Sequence, residues 1–417
     1  YVVSFDTRAV DTYEALAARA ASCGFIDVEV KALIDMVYPL SWTDAERSLH
    51  VVDRALRLSA QQSNPLQRAR TRASCLVRRV WVGGWNPRDA EDCRQALGEI
   101  RRSGDRLVVA SHLIEFNFIR WISSEYRAAR QDAVESLAIL ADARVETPYL
   151  SLAHWLSHFT LPWSLLFLGE WGQALQTLTA ETTLADKNGE RHRAQTLLLY
   201  RAWIHLHAMD FPAVLEACGS VLPSFDDPAR APWRRWCLAL AGSAEAASGR
   251  YEAAEQHLLA ARGEMDRLPV IHDWYSRMIL QGALSELWLA KRDLAQARLE
   301  AERFLELTRA TAERTWQALA WDTNARVATA ERDLNRAQNC IDHALSTMEG
   351  FEVPLAAWRV HDTAAELYAG LGNNAAAEPH RALSRATILT LADSLPHDEP
   401  LRARFLSAPA VRRIVDP

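Results

Sequence analysis

Apolar side chains recur along this chain at the spacing of one face of an α-helix. In residues 252–266 and 294–307, Ala and Leu fall at positions i, i+3, i+4 and i+7, with Glu, Arg and Gln between them. Alternating apolar and polar runs, the mark of half-buried strands, are almost missing, and no Asn-Gly or Asp-Gly turn separates such runs. Prolines fall between the periodic stretches, where they end helices. The pattern predicts an all-α protein.

A short motif returns along the chain every 40 to 45 residues. A Gly or a polar pair is followed by an anchor residue, and Ala stands three positions after seven of the nine anchors. The clearest copies are Gly249-Arg250-Tyr251 with Ala254 and Gly169-Glu170-Trp171 with Ala174. The anchors are Trp42, Trp85, Tyr126, Trp171, Phe211, Tyr251, Leu294, Leu334 and Asn374. The motif predicts helical hairpins, in which the Gly or polar pair reverses the chain and the small Ala lets two helices approach.

The repeat resembles a known family. Tyr251, Ala254, Leu258 and Ala261 occupy the signature of the tetratricopeptide repeat, here lengthened from about 34 residues to about 40. The resemblance implies a right-handed superhelical solenoid of about nine helical hairpins, because single hairpins must stack to bury their apolar faces. We expect a leading helix or linker from a preceding module at 1–25, the repeat array at 26–385 and a C-terminal capping segment at 386–417.

The Trp-rich, 40-residue form of the repeat also resembles the C-terminal arm of bacterial signalling ATPases. The stretches 391–395, 401–406 and 409–414 are similar to the tail of such proteins, which include maltose-regulon-type activators and ATPases with a winged-helix or nucleotide-cyclase module. This resemblance implies a regulatory arm that senses a ligand or partner and controls an ATPase core. The chain has no G-x-x-x-x-G-K-[ST] phosphate loop, so we expect the ATPase module before Tyr1.

Composition and charge argue against nucleic-acid binding and membrane insertion. The net charge of -6 argues against a direct contact with nucleic acid, and no apolar run is long enough for a membrane helix. Six cysteines without a CxxC pair indicate buried thiols in the cytoplasm. The chain starts at Tyr1 without a signal peptide, so we read it as a piece of a longer cytoplasmic protein.

Catalytic and metal-binding motifs are missing. The chain contains neither a G-x-S-x-G elbow nor a G-x-G-x-x-G loop, and His154 and His158 share a helical spacing without a third ligand. We therefore expect no enzyme activity in this fragment, no cofactor and no metal site.

The candidate site follows from the repeat register. In tetratricopeptide arrays the first helix of each hairpin lines the concave groove, so positions eight residues before each anchor, and one turn from them, should face it. They are aromatic in the N-terminal half and mostly charged in the C-terminal half. The candidates are Trp81, Phe118, Trp121, Trp163, Trp203, His207, Glu286, Asp322, Arg326, Asp362 and Glu366. Trp, at 15 copies the commonest aromatic residue, suits flat ligands or peptide anchors, although packing between helices explains such stripes as well.

Two functions follow from these patterns. The first is a non-catalytic sensor arm of a signalling ATPase or transcriptional regulator, which binds a small effector or a protein partner in the groove. The alternative is a free-standing tetratricopeptide scaffold for protein–protein interaction.

Overall fold

The computed structural model describes residues 9–141 and 148–416, without the side chains of 148–155, 157 and 158. Within these ranges the chain forms α-helices, two short 3-10 helices at Leu222–Phe225 and Pro228–Arg230, and no β-strand. The α-helices are α1 (Ala9–Ser22), α2 (Ile26–Ser41), α3 (Ala45–Ser59), α4 (Pro65–Gly83), α5 (Pro87–Arg102), α6 (Arg106–Ile122), α7 (Tyr126–Ala141), α8 (Pro148–Phe167), α9 (Trp171–Lys187), α10 (Arg191–His207), α11 (Phe211–Val221), α12 (Ala231–Ala247), α13 (Tyr251–Arg267), α14 (Asp273–Ala290), α15 (Leu294–Arg309), α16 (Arg314–Ala330), α17 (Leu334–Met348), α18 (Pro354–Gly370), α19 (Asn374–Asp393), α20 (Pro400–Ser407) and α21 (Pro409–Val415).

Helices α2 to α19 follow one another as nine pairs, and each pair contains one sequence anchor near the start of its second helix. From Tyr126 onward, every anchor is the first residue of that helix. Trp42 and Trp85 stand a few residues before α3 and α5, which agrees with their weaker copies of the motif. The predicted fold class, an all-α solenoid of tetratricopeptide-like hairpins, is confirmed.

The Ala three positions after an anchor packs where the two helices of a hairpin approach each other. It is completely buried in six described hairpins, at Ala129, Ala174, Ala254, Ala297, Ala337 and Ala377. Across the α12–α13 hairpin, a Cβ added to Gly242 would lie 2.6 Å from Cγ of Leu258. Small residues at these contacts therefore permit a helix spacing that a larger side chain would prevent.

The turns between paired helices share one backbone geometry. The residue two positions before the anchor has a positive φ of 57° to 77° in seven hairpins, and only three of these residues are Gly. In each turn the amide of the next residue donates to the carbonyl five positions earlier, at 2.8–3.0 Å, which is the Schellman pattern. The left-handed residues are Ser124, Gly169, Met209, Gly249, Arg292, Arg332 and Gly372.

The chain divides into two compact units. Unit 1 comprises Tyr1–Leu161, Ser224–Arg234 and Gly263–Tyr275. Its interior contains an ion pair between Arg78 on α4 and Glu115 on α6, with 3.1 Å between Nη2 and Oε1 and both side chains buried. Ser74 donates to the other carboxylate oxygen at 2.8 Å. The pair is thus enclosed and hydrogen-bonded, as a buried charge requires.

Unit 2 comprises Pro162–Pro223, Arg235–Arg262 and Ser276–Pro417. Here the C-terminal segment packs on α19 and also reaches the start of α9. The amide of Trp171 donates to Oγ of Ser394 at 3.1 Å, and the Trp171 ring meets Phe405 edge to face at 5.0 Å. Both rings are fully buried. The predicted boundaries at residues 25 and 385 stay a prediction, as does the capping role of 386–417.

Candidate functional site

The three N-terminal candidates, Trp81, Phe118 and Trp121, are buried in unit 1. Phe118 stacks on the ring of His272 at 5.3 Å, and Nε1 of Trp274 donates to the carbonyl oxygen of Trp81 at 3.1 Å. The chain's own segment 270–274 therefore covers Trp81 and Phe118, and Trp121 packs against Phe118, so packing explains the position of all three. A role in ligand binding at this place stays a prediction.

Trp163 and Trp203 lie together in unit 2, with their rings edge to face at 5.3 Å. Trp203 is nearly inaccessible and also stacks parallel to Trp316, at 6.5 Å between ring centroids. Trp163 lies behind Trp203, against Phe167 and Tyr200. Trp203 lines the cavity described next, whereas Trp163 contacts Trp203 and is not among the lining residues.

Unit 2 contains a cavity of about 610 Å³ that brings together seven of the eleven candidates. Helices α10, α14, α16 and α18 supply them, from the position eight residues before an anchor or from one turn to either side of it. They are Trp203, His207, Glu286, Asp322, Arg326, Asp362 and Glu366. The volume lies in the range of ordinary ligand pockets, about 300–1,000 Å³.

One wall of the cavity is aromatic. Trp203, Trp316, Trp358 and Phe304 contribute to it, and all four are buried. The Arg359 guanidinium lies over the Trp358 ring, 4.2 Å from its centroid, and donates to the carbonyl oxygen of Leu355 at 2.7 Å. A bound group can thus contact aromatic rings and the Arg359 guanidinium in this part of the cavity.

Further along the same helices, the cavity lining carries charges that alternate in sign from one repeat to the next. Glu286 on α14, Arg326 on α16 and Glu366 on α18 occupy the same repeat position, 40 residues apart. Arg326 forms an ion pair with Glu286. Arg413 of α21 donates to Glu366 at 2.6 Å and also pairs with Asp362, so both carboxylates contact one guanidinium.

Asp322 is 3% exposed among these charged side chains. Burial raises the pKa of its carboxyl to about 6, although Arg326 and a hydrogen bond with Thr363 oppose that rise. Its Oδ1 has no hydrogen-bond partner among the described residues. Burial likewise raises the pKa of Asp362 to about 6 against the effect of Arg413. A cationic donor that entered the cavity would stabilise both carboxylates in their charged form.

His207 lies next to Trp203 in the lining of the cavity. Burial, and to a smaller extent the positive charge of Arg359, lower the pKa of its imidazole to about 3. The ring is therefore neutral at physiological pH, and its Nε2 has no hydrogen-bond partner within the described part of the chain. His207 can thus accept or donate one hydrogen bond without adding charge.

The register missed several lining residues. Trp316, Leu319, Trp358 and Arg359 lie one or two turns before predicted positions on the same helices, so a longer helical stripe would have found them. Arg413 belongs to no repeat and carries no comparable signal.

Metal binding, membrane spanning and thiol reactivity each set their own requirements for the described residues. Among the described residues, no group of three or more His, Cys, Asp and Glu side chains is arranged to hold a metal ion. His154 and His158 lie outside the described side chains. Within the same ranges no helix combines the length and apolar character that a bilayer span needs. Five of the six cysteines are buried, and burial raises the thiol pKa of Cys75 to about 12.

Comparison with known proteins agrees with the fold. No protein-family model and no curated protein sequence matches the chain. A crystal structure of Rap protein complexed with competence and sporulation factor superposes with a TM-score of 0.61 at 13% identity, over 88% of this chain and 99% of the other. The APC/C hetero-tetramer Cut9-Hcn1 gives a TM-score of 0.41 at 12% identity, over 100% and 98%. The similarity to Rap protein is one of fold.

Proposed function

We propose that this chain is a non-catalytic interaction module whose unit 2 cavity binds a segment of a protein partner. The observation that carries the proposal is the row of Glu286, Arg326 and Glu366, which repeats one charged position over three successive hairpins beside an aromatic wall. Helices in contact lie about 8–10 Å apart, so the row extends over roughly 20 Å. An extended chain of about six residues covers that length.

This arrangement favours a protein segment over a compact metabolite. A compact ligand would need its polar partners at one point, whereas here they are distributed along three helices and include both signs of charge. The fold of Rap protein, solved with a bound factor, is compatible with the proposal. We expect a partner segment that places apolar side chains on the tryptophans and charged side chains along the row.

A random dodecapeptide library displayed on phage tests the proposal. Peptides selected on the full chain should bind with micromolar affinity in fluorescence anisotropy. Ser243→Trp fills the cavity from α12, where Ser243 is a half-buried lining residue, and should weaken binding at least tenfold. Ser220→Trp on the exposed side of α11 is the matched control. Selection of no peptide, or equal binding by both variants, would contradict the proposal.

A finer proposal places the module in a cytoplasmic signalling ATPase or transcriptional regulator, with the ATPase module in cis and a small effector in the cavity. The resemblance of the repeat and tail supports it, and so does a cavity volume suited to a small ligand. The coding sequence upstream of Tyr1 decides the question. A phosphate loop there would favour the sensor arm, whereas an unrelated upstream sequence would leave the interaction scaffold.

A further inference from the structure

The C-terminal helix α21 already occupies one side of the cavity. Its Ala410 and Arg413 line the cavity, and Arg413 bridges Asp362 and Glu366, which stand one turn apart on α18. The remaining lining residues carry four carboxylates, on Glu286, Asp322, Asp362 and Glu366, against the two guanidinium groups of Arg326 and Arg359. Without Arg413 the cavity would have an excess of two negative charges. A cationic side chain is therefore the group that the cavity favours at this position.

Contacts of different burial hold α20 and α21 in unit 2. In α20, Phe405 packs on Trp171 and Arg404 pairs with the buried carboxylate of Asp210 at 2.5 Å. Further along, the Arg413 side chain is 47% exposed, and its partners Glu366 and Asp362 are 63% and 15% exposed. Exposed ion pairs are weak because water screens them. The helix α21 itself is held by the fully buried Val411 and by its packing on α19, so the Arg413 side chain is the part that can leave the carboxylates.

We propose that Arg413 holds, in cis, the position of a basic side chain of the partner, so that the Arg413 side chain competes with the partner for the cavity. The inference rests on the proposed function and names the partner's chemistry. The partner is a protein segment with an Arg or Lys that reaches Asp362 and Glu366, next to apolar side chains that reach the tryptophans. Asp322, with its buried and unpartnered Oδ1, offers a further acceptor deeper in the same cavity.

The test compares the full chain with two variants of α21. Arg413→Ala removes the bridging guanidinium, and Arg412→Ala, at the exposed neighbouring residue, is the matched control. Dodecapeptides are selected on the Arg413→Ala chain and their dissociation constants are measured on all three proteins. Circular dichroism at 222 nm verifies that each protein is folded.

We expect the selected peptides to share one Arg or Lys. They should bind the Arg413→Ala chain at least tenfold more tightly than the wild type or the Arg412→Ala chain. Replacing the shared basic residue by Gln should remove this gain. Adding Asp362→Asn, at the carboxylate that is only 15% exposed, to the Arg413→Ala chain should weaken the basic peptide at least tenfold and leave its Gln version unchanged.

Three results separate the possible failures. Peptides that bind all three proteins equally would overturn the competition by Arg413 and leave the proposed function intact. Selection of no peptide would overturn the proposed function itself. Spermidine that binds the Arg413→Ala chain more tightly than every peptide would overturn the assignment to a protein segment, because a small polyamine would then be the occupant.

Discussion

Gly172, the second residue of α9, lies against the C-terminal segment of unit 2. A Cβ added to it would stand 2.2 Å from the carbonyl oxygen of Ser394 and 3.2 Å from Cδ of Pro396. Because the obstacle is backbone, the Ser394 carbonyl would have to move by about 1 Å to reach an ordinary contact. The same movement would strain the hydrogen bond from the Trp171 amide to Ser394. Gly172→Ala therefore tests whether the segment is held firmly against α9.

The change in unfolding free energy expected for Gly172→Ala is the balance of helix propensity against crowding at the contact. Ala favours a helix over Gly by about 0.5–1 kcal/mol. Overpacking costs about 1–3 kcal/mol, and a weakened hydrogen bond adds about 0.5–1.5 kcal/mol. The net expectation is a loss of about 0.5–4 kcal/mol in the free energy of unfolding. Gly219→Ala in α11 is the matched control, since its added Cβ meets no atom within 4 Å and should stabilise the chain by about 0.5–1 kcal/mol.

Urea unfolding measures both variants. Tryptophan fluorescence and circular dichroism are recorded together, because coincident transitions are needed before a single free energy is assigned. Trypsin cleavage within 394–416 should also become faster in Gly172→Ala than in Gly219→Ala. If Gly172→Ala is as stable as Gly219→Ala, the contact between α9 and the C-terminal segment is wrong.

Three further predictions concern stability. Glu115→Gln leaves the buried guanidinium of Arg78 without its counter-charge and should lower the urea-unfolding free energy by about 3–5 kcal/mol; a loss below 1 kcal/mol would refute the enclosed pair. Arg332→Gly relieves a φ of 65° and should stabilise the chain by up to about 1 kcal/mol. Gly249→Ala at the equivalent turn should cost about 1 kcal/mol. Thermal melts in which Gly249→Ala is the more stable variant would refute the turn assignment. Because burial raises the pKa of Asp322 to about 6, the stability contributed by its neutral form is complete below pH 4 and is lost as the pH rises through 6. Asp322→Asn should remove about 2 kcal/mol of this pH dependence, seen as a flatter plot of urea midpoints between pH 4 and 7.5; an unchanged plot would contradict the burial of Asp322.

The fold could be predicted because its signals are local and repeated. Each anchor, such as Trp171 or Tyr251, stands at a helix start, and the Ala after it fills a close helix contact. The turn residue was predicted less well. Gly249 indicates a positive φ by itself, whereas the polar pairs that begin at Arg292 and Arg332 predict only a chain reversal. Their positive φ accompanies the Schellman bonds of the backbone.

The site could be predicted only where the repeat determines it. Glu286, Arg326 and Glu366 come together because equal repeat positions line one cavity. The sequence could not tell which groove-facing side chains line a cavity and which are covered, because the covering residues are distant along the chain. Trp81 and Phe118 are covered by residues around 272, and Arg413 reaches Glu366 from 47 residues away.

The contact between the start of α9 and the C-terminal segment also has a consequence for biosynthesis. Trp171 precedes Ser394 by 223 residues, and Asp210 precedes Arg404 by 194. At about 5–20 residues per second, a ribosome needs roughly 10–45 s to make that intervening chain. Throughout this interval the indole of Trp171 lacks Phe405, the ring that later helps to bury it. The nascent chain therefore presents an aromatic surface that a chaperone can bind until the last helices emerge.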